Sequence, residues 1–428
     1  MNKKKLVLMN LKLFITILSF LLWSTVQSEQ IAIKVGYLID VTNGEIHTKK
    51  NILINENRIV KITEDLPTNI RIIDLSGYYV MPGLIDMHTH IIGNLDSDYF
   101  SNLFQSPHRA TIGGVVNAKK TLLAGFTSVR NVGAPDFMDV ALRNAINAGE
   151  VPGPRMKVSG PSIGMTGGHC DNNTLNHSFK QFSDGVADGP WEVRKKVRHN
   201  TKYGVDLIKF CATGGVFSKG TQVGLRQFTL EEMQAMVDEA HTRGIKIAAH
   251  AHGTEGIEFA IKAGVDSIEH ASFLDLETAL LAKQHGVSLA MDIYNTEYTL
   301  SEGRKNGIPE ENLRKDLETG DRQRQSFNLA VKNGVNLVFA TDSGVYPHGD
   351  NAKQFTRMVR FGMTPLQAIQ SATIHAAKLL DSSMKIGQIK VGYYADIVAV
   401  KNNPLEDIRT LEKITFVMKD GLVFKNID

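Results

Sequence analysis

Pro82-Gly-Leu-Ile-Asp-Met-His-Thr-His90 opens on a turn pair, continues through a short apolar run and ends on two histidines one residue apart. If Leu84–His90 is a strand, His88 and His90 share one face, because side chains alternate along a strand with period two. Seven further short apolar runs follow, at Ser128–Val132, Met156–Ser159, Leu207–Cys211, Ile245–Ala249, Ser267–His270, Ser288–Asp292 and Leu337–Ala340. Helical stretches lie between them, among them Leu230–Arg243, Gly256–Ala263 and Gln323–Asn333. Strands alternating with helices in this way predict an α/β fold, a (β/α)8 TIM barrel over residues 83–383. A doubly wound sheet is the other solution, but no GxGxxG follows a strand here.

Outward from that core the pattern changes. Residues 29–82 hold β-branched runs such as Ile31–Val35 and Ile52–Ile54, with Asn43-Gly44 as a turn between strands. Residues 384–428 read alike, with Ile397–Val400 as a strand and Asp420-Gly421 as a hairpin turn. The two chain ends are expected to build one small composite β-sandwich domain.

In such a barrel the chemistry sits at the C-terminal strand ends. The first strand ends in His88-Thr-His90, the fourth carries Lys209, the fifth ends in His250-Ala-His252, the sixth in Glu269-His270 and the eighth in Thr341-Asp342. His88 and His90 can bind one cation, with a carboxylate oxygen from Asp342 on the neighbouring strand. His250 and His270, on adjacent strands, can bind a second. Imidazole and carboxylate ligands together suit Zn²⁺ first, with Mn²⁺ or Co²⁺ as alternatives. Lys209 is unusual, since lysine is rarely buried without a partner. Its amine can react with carbon dioxide to give a carbamate that bridges two cations; otherwise it pairs with Asp342 or reaches water. His252 lies one pleat beyond His250, which suits a substrate contact better than a ligand. His169, after the third strand, either polarises a substrate carbonyl or is a solvated loop histidine.

The whole chain has 428 residues, 48 Lys+Arg against 45 Asp+Glu, a net charge of +3, 14 His and 2 Cys. The near balance of charge argues against a nucleic-acid partner. Two cysteines exclude a disulfide framework and a four-cysteine zinc site; Cys170 and Cys211 either pair or are buried thiols. Residues 1–28 read as a secretory signal peptide: Lys3, Lys4 and Lys5 precede a mostly apolar Leu6–Trp23, and Val26 and Ser28 suit cleavage. The alternative, an uncleaved anchor, would need about 20 apolar residues. The expectation is an exported chain, periplasmic or extracellular, with no membrane attachment after cleavage and with homo-oligomerisation open.

The ordered set His88, His90, Lys209, His250, His270 and Asp342 resembles the amidohydrolase superfamily over essentially the whole chain beyond the signal segment. Gly153-Pro-Arg155, Thr166-Gly-Gly-His169, Ala249-His-Ala-His-Gly253 and Tyr346-Pro-His-Gly-Asp350 are similar to its metal-dependent Xaa-Pro dipeptidase (prolidase) and carboxypeptidase-like branch, to which imidazolonepropionase is related. The resemblance implies two divalent metal ions, zinc by ligand type, bridged by a carboxylated Lys209. It implies a hydrolase that cleaves amide bonds of dipeptides or N-acyl amino acids. Asp342 would then move the proton from the attacking water to the leaving amine, and His169 would support the carbonyl oxygen. A cyclic amide, lactone or phosphotriester is the alternative substrate class, and a non-catalytic binding protein is disfavoured because no ligand is lost. A dipeptide carboxylate needs a cationic or phenolic partner; Arg226, Tyr294, His252 and His348 are the candidates for substrate binding.

Overall fold

The computed structural model describes residues 30–93, 99–381 and 385–427. The expected signal segment lies outside these residues. Among those described, no helix is long and apolar enough to cross a membrane.

The N-terminal strands are β1 (Gln30–Ile39), β2 (Ile46–Asn55), β3 (Arg58–Thr63) and β4 (Arg71–Pro82). The central ones are β5 (Leu84–Thr89), β6 (Phe126–Asn131), β7 (Arg155–Val158), β8 (Leu207–Cys211), β9 (Lys246–Ala251), β10 (Ser267–His270), β11 (Ser288–Ala290) and β12 (Leu337–Val338). The last are β13 (Ile397–Val400), β14 (Phe416–Lys419) and β15 (Leu422–Lys425). All eight runs expected as central strands are therefore strands.

The chain ends meet in a single seven-stranded sheet of order β15-β14-β13-β4-β1-β2-β3, where β4 of the N-terminal part pairs antiparallel with β13 of the C-terminal part. The expectation was a sandwich. Instead one sheet curls on itself: Ile59 N donates to Tyr393 O and Ala395 N to Asn57 O, bringing the β3 edge back beside the start of β13. The curl wraps Ile33, Ile52, Ile54, Leu75, Ile397 and Phe416 into one apolar core.

β4 hands the chain straight to β5 through Gly83, where a Cβ would collide with the Thr127 side chain on β6. The eight central strands form two parallel sheets, β12-β11-β10-β9-β8 and β5-β6-β7. Backbone hydrogen bonds cross both gaps. Asp206 N donates to Val158 O (2.8 Å) and Ile163 N to Lys209 O (2.8 Å) on one side; Met87 N donates to Phe339 O (2.9 Å) and Asp342 N to His88 O (2.8 Å) on the other. β5, β6, β8 and β10 are buried along their whole length, as parallel strands covered on both faces must be. β11 and β12 stop short of their expected ends because the next backbone groups find other partners: Gln354 Nε2 donates to Met291 O, and Phe339 N donates to Ser371 O.

Three helices matter for the site. α1 (Leu230–Thr242) starts on a capping box in which Thr229 and Glu232 satisfy each other's backbone N–H groups. α2 (Thr254–Ala263) ends on Gly264 at a left-handed φ of 97°. α3 (Glu310–Lys332) begins well before the expected Gln323. Its first half buries Asn312, Lys315, Asp316 and Thr319 beside Leu313, so hydrophobic periodicity does not reveal it.

Candidate active site

The C-terminal ends of the central strands enclose a cavity of about 480 Å³. His88, His90, His169, Lys209, His250, His252, His270 and Asp342 all line it. β5 presents His88 and His90 one pleat apart, and both turn Nε2 toward Asp342 Oδ1, at 3.3 and 3.2 Å. Possible ligand atoms of His88, His90 and Asp342 lie within 4.8 Å of one another, as do those of His250, His252 and His270, and those of His270, Asp292 and Asp342. His252 thus stands inside a potential ligand group, closer to the centre than one pleat of offset suggests.

The imidazoles are oriented from behind. His88 Nδ1 meets Glu269 Oε2 at 2.8 Å, His270 Nδ1 meets Asp292 Oδ1 at 2.7 Å, and His252 Nδ1 meets Ser272 Oγ at 2.7 Å. Each contact leaves Nε2 for the cavity, the arrangement that fixes a histidine as a metal ligand. His250 Nε2 is buried and has no hydrogen-bond partner. An orphaned ring nitrogen among three other imidazoles and a carboxylate fits a divalent cation, since burial without a partner is otherwise costly. The residues present therefore suit the implied metals.

Electrostatics agree with that use. Burial pushes His270 and His169 down to about 3, and it lowers His250 and His252 well below the ordinary histidine range. The rings are neutral and have lone pairs to give. Burial alone would raise the Asp342 carboxyl, but His88 and His90 outweigh it and hold it well below the usual range. Burial raises the carboxyl of Asp292, and the charge of Asp342 adds to that. Burial likewise brings the Lys209 amine down to about 8, against the pull of the Glu269 carboxylate. Glu269 is itself fully buried. Its desolvation is overcome by the Arg130 guanidinium, 2.6 Å away, and by the His88 hydrogen bond, so it stays ionised.

Local backbone geometry marks the same place. His270 and Asp342 adopt left-handed φ values of 73° and 56°, which non-glycine residues hold at a cost of roughly 1–3 kcal/mol each and which cluster at functional sites. His169 packs where a Cβ on Gly215 would collide with its ring. Its Nδ1 meets Ser218 Oγ at 2.8 Å, its backbone N donates to Gln227 Oε1 at 2.9 Å, and its ring stacks on His250 at 4.2 Å. It is a half-buried, positioned ring rather than a solvated loop residue.

Cys170, next to His169, forms a disulfide with Cys211 at the end of β8, with 6.0 Å between Cα atoms. The bridge ties the His169 loop to the strand that carries Lys209. It closes a sequence separation of 41, and by chain entropy it should stabilise the fold by about 4 kcal/mol. Replacing both cysteines by alanine is expected to lower the denaturation midpoint accordingly. An unchanged midpoint in urea would show that the bridge carries no such constraint.

Three expected substrate contacts lie elsewhere. Arg226 does not line the cavity: Nε pairs with Glu255 Oε1 (3.2 Å), Nη1 donates to Phe228 O (2.8 Å), and the guanidinium sits over the Phe259 ring of α2. Tyr294 is buried against Tyr346 with Arg357 over its ring. His348 lies behind His90, with Nε2 3.2 Å from His90 O. Arg226→Ala is accordingly expected to leave kcat/KM for carboxylate-bearing substrates within about twofold, as for other partly exposed ion pairs. A tenfold rise in KM for those substrates alone would restore Arg226 to the site.

Sequence reasoning missed Glu269 and Asp292 as orienting carboxylates, although both stand at strand ends, and missed Asp316, Thr319 and Gln323 of α3, which line the cavity.

Similarity to known proteins makes the chain a hydrolase of carbon–nitrogen amide bonds. The profile described as "Amidohydrolase family" matches residues 79–423, and the chain belongs to that family. It is similar to ochratoxinase of Aspergillus niger, 34% identical over 368 residues covering 81% of this chain and 75% of the relative. It is 25% identical to imidazolonepropionase of Kosmotoga olearia over 405 residues, 88% and 91% of the two chains. Among solved structures, a Xaa-Pro dipeptidase with methionine bound in its active site superposes with a TM-score of 0.88 at 39% identity, covering 93% of this chain and 100% of that one. A prolidase complexed with N-methylphosphonate-L-proline gives 0.85 at 30% identity, with the same coverage. The similarity places the chain with the prolidase-like branch.

Proposed function

We propose that the protein is an exported, binuclear metal-dependent amidohydrolase that cleaves the amide bond of dipeptides or N-acyl amino acids. The observation that carries this reading is that the ligand groups His88/His90/Asp342 and His250/His252/His270 share one cavity with Lys209, with His250 Nε2 left partnerless. His88, His90 and Asp342 would hold one cation and His250 and His270 the other, with a carboxylated Lys209 bridging them and zinc the first choice. Hydrogen bonds across both gaps between the parallel sheets support a closed (β/α)8 barrel over 83–383, beside a composite domain of 29–82 and 384–428. Export is supported by the N-terminal signal pattern and by the Cys170–Cys211 disulfide, which persists in an oxidising compartment. The dipeptide assignment rests on the names of the similar structures.

The bound cations would polarise the scissile carbonyl and lower the pKa of water. The chain supplies the rest. Asp342, ionised and beside both His88 and His90, takes a proton from the attacking water and returns it to the leaving amine. His169 hydrogen-bonds the carbonyl oxygen as charge develops there, in a tautomer set by Ser218. The disulfided Cys170 and Cys211 have no thiol to offer as a nucleophile.

A substrate panel tests the reading. Zinc-loaded protein is expected to release amino acids from dipeptides or N-acyl amino acids, and to leave lactones and phosphotriesters largely intact. Turnover confined to cyclic amides, lactones or phosphotriesters would replace it.

A further inference from the structure

We propose that Asp316 is the point at which the cavity receives a positively charged nitrogen of the substrate, an ammonium or guanidinium. This rests on the hydrolase reading and names the kind of substrate that site takes.

Asp316 lies on the polar first half of α3, is 4% exposed and lines the cavity. Its Oδ1 accepts a hydrogen bond from Thr296 Oγ1 at 2.7 Å. Its Oδ2 is buried and meets no donor in good geometry; the Thr299 hydroxyl lies beside it and brings no charge. A buried carboxylate without a countercharge is costly and is retained where something supplies that charge.

The protein does not supply it. Gln323 Nε2 is committed to Asp292 Oδ1 (3.2 Å) and His270 O (3.4 Å), and Thr319 Oγ1 donates to Lys315 O (2.6 Å). Arg324, whose field reaches Asp316, turns Nη1 to Asp321 (3.2 Å) and Nη2 to Glu297 (3.7 Å), and its buried Nε meets no acceptor, Asp316 included. Lys315 turns away to Ser218 O and Glu311, both at 2.7 Å. Among the described residues, Lys209 is the only lysine or arginine lining the cavity, and the ligand chemistry claims it. Asp316 belongs to none of the potential metal-ligand groups. Ile92, Val132, Ala134 and Met138 also line the cavity and suit neutral, apolar parts of a ligand. The charge that complements Asp316 therefore comes from the substrate, either as the α-ammonium of a dipeptide or as a basic side chain.

Three ligands separate these sources. Ala-Lys and Ala-norleucine differ by a side-chain ammonium, while Ala-norleucine and propionyl-norleucine differ by the α-ammonium. Affinities are measured calorimetrically in zinc-loaded protein carrying Asp342→Asn, which prevents turnover, with and without Asp316→Asn. Turnover is measured separately with Asp342 intact. The charged member of one pair is expected to bind at least about tenfold more tightly, as charge-assisted hydrogen bonds do. Asp316→Asn should erase that preference while leaving the neutral member unchanged, and Asp316→Glu should restore part of it. A loss in the first pair identifies a basic side chain; a loss in the second identifies the α-ammonium. Discrimination in binding without turnover of any ligand by the protein with Asp342 intact would sink the hydrolase reading and leave this subsite standing. Equal affinity within both pairs, no binding at all, or a preference indifferent to Asp316→Asn would overturn the proposal. A melting curve equal to that of the parent shows that Asp316→Asn has not unfolded the site.

Discussion

Asp342→Asn is expected to reduce amide turnover about 10³-fold while the protein keeps most of its metal. The carboxylate faces both His88 and His90, with Oδ1 3.3 Å from His88 Nε2 and 3.2 Å from His90 Nε2. Its left-handed backbone and the hydrogen bond from its own N–H to His88 O fix it there. Asparagine retains the shape and one carbonyl oxygen, so the neighbouring imidazoles keep their places. What disappears is a base able to take a proton from water and return it to the amine. Elemental analysis beside steady-state kinetics reads both halves. Near-normal turnover would remove Asp342 from proton transfer, and complete loss of metal would assign its effect to ligation.

Lys209→Ala is expected to cost at least one of two cations and to weaken its binding by more than about 100-fold, beyond what loss of an orienting residue does. Lys209 is 3% exposed, sits within the buried strand β8 and faces the same cavity as His88, His90, His250, His270 and Asp342, the side chains proposed as ligands. An amine already brought down to about 8 by burial has a substantial neutral fraction at slightly alkaline pH, the form that reacts with carbon dioxide. Native mass spectrometry of the intact protein should show the mass of one carbon dioxide, absent from the variant. Two cations still bound to Lys209→Ala would refute the bridging role.

Much of this site was readable because strand ends are local features. Leu207–Cys211 announces itself as a short apolar run with one polar intruder, Lys209; Ser267–His270 holds one apolar residue among polar ones, and the period of two fixes which side chains face together. The orienting groups were harder. Glu269 adjoins His270, a proposed ligand, yet nothing local shows that Arg130, 139 positions away, keeps it ionised. Asp316 was hidden for a different reason: α3 buries polar residues on its first half, so no apolar stripe marked a helix there. Arg226 misled because a guanidinium after a strand suits a carboxylate site, whereas its partner, Glu255, comes from α2 and becomes visible only in three dimensions. The sheet of the chain ends shows the same limit. Ile31–Val35, Ile52–Ile54 and Ile397–Val400 were legible singly as strands, but the β4–β13 pairing that joins the two termini depends on a register no short stretch encodes.

The most direct test of metal-dependent amide hydrolysis is a titration of chelator-stripped protein with zinc, following amino-acid release from the best substrate of the panel. Activity is expected to be absent in the stripped protein and to rise to a plateau near two equivalents. Full turnover without metal would contradict the account.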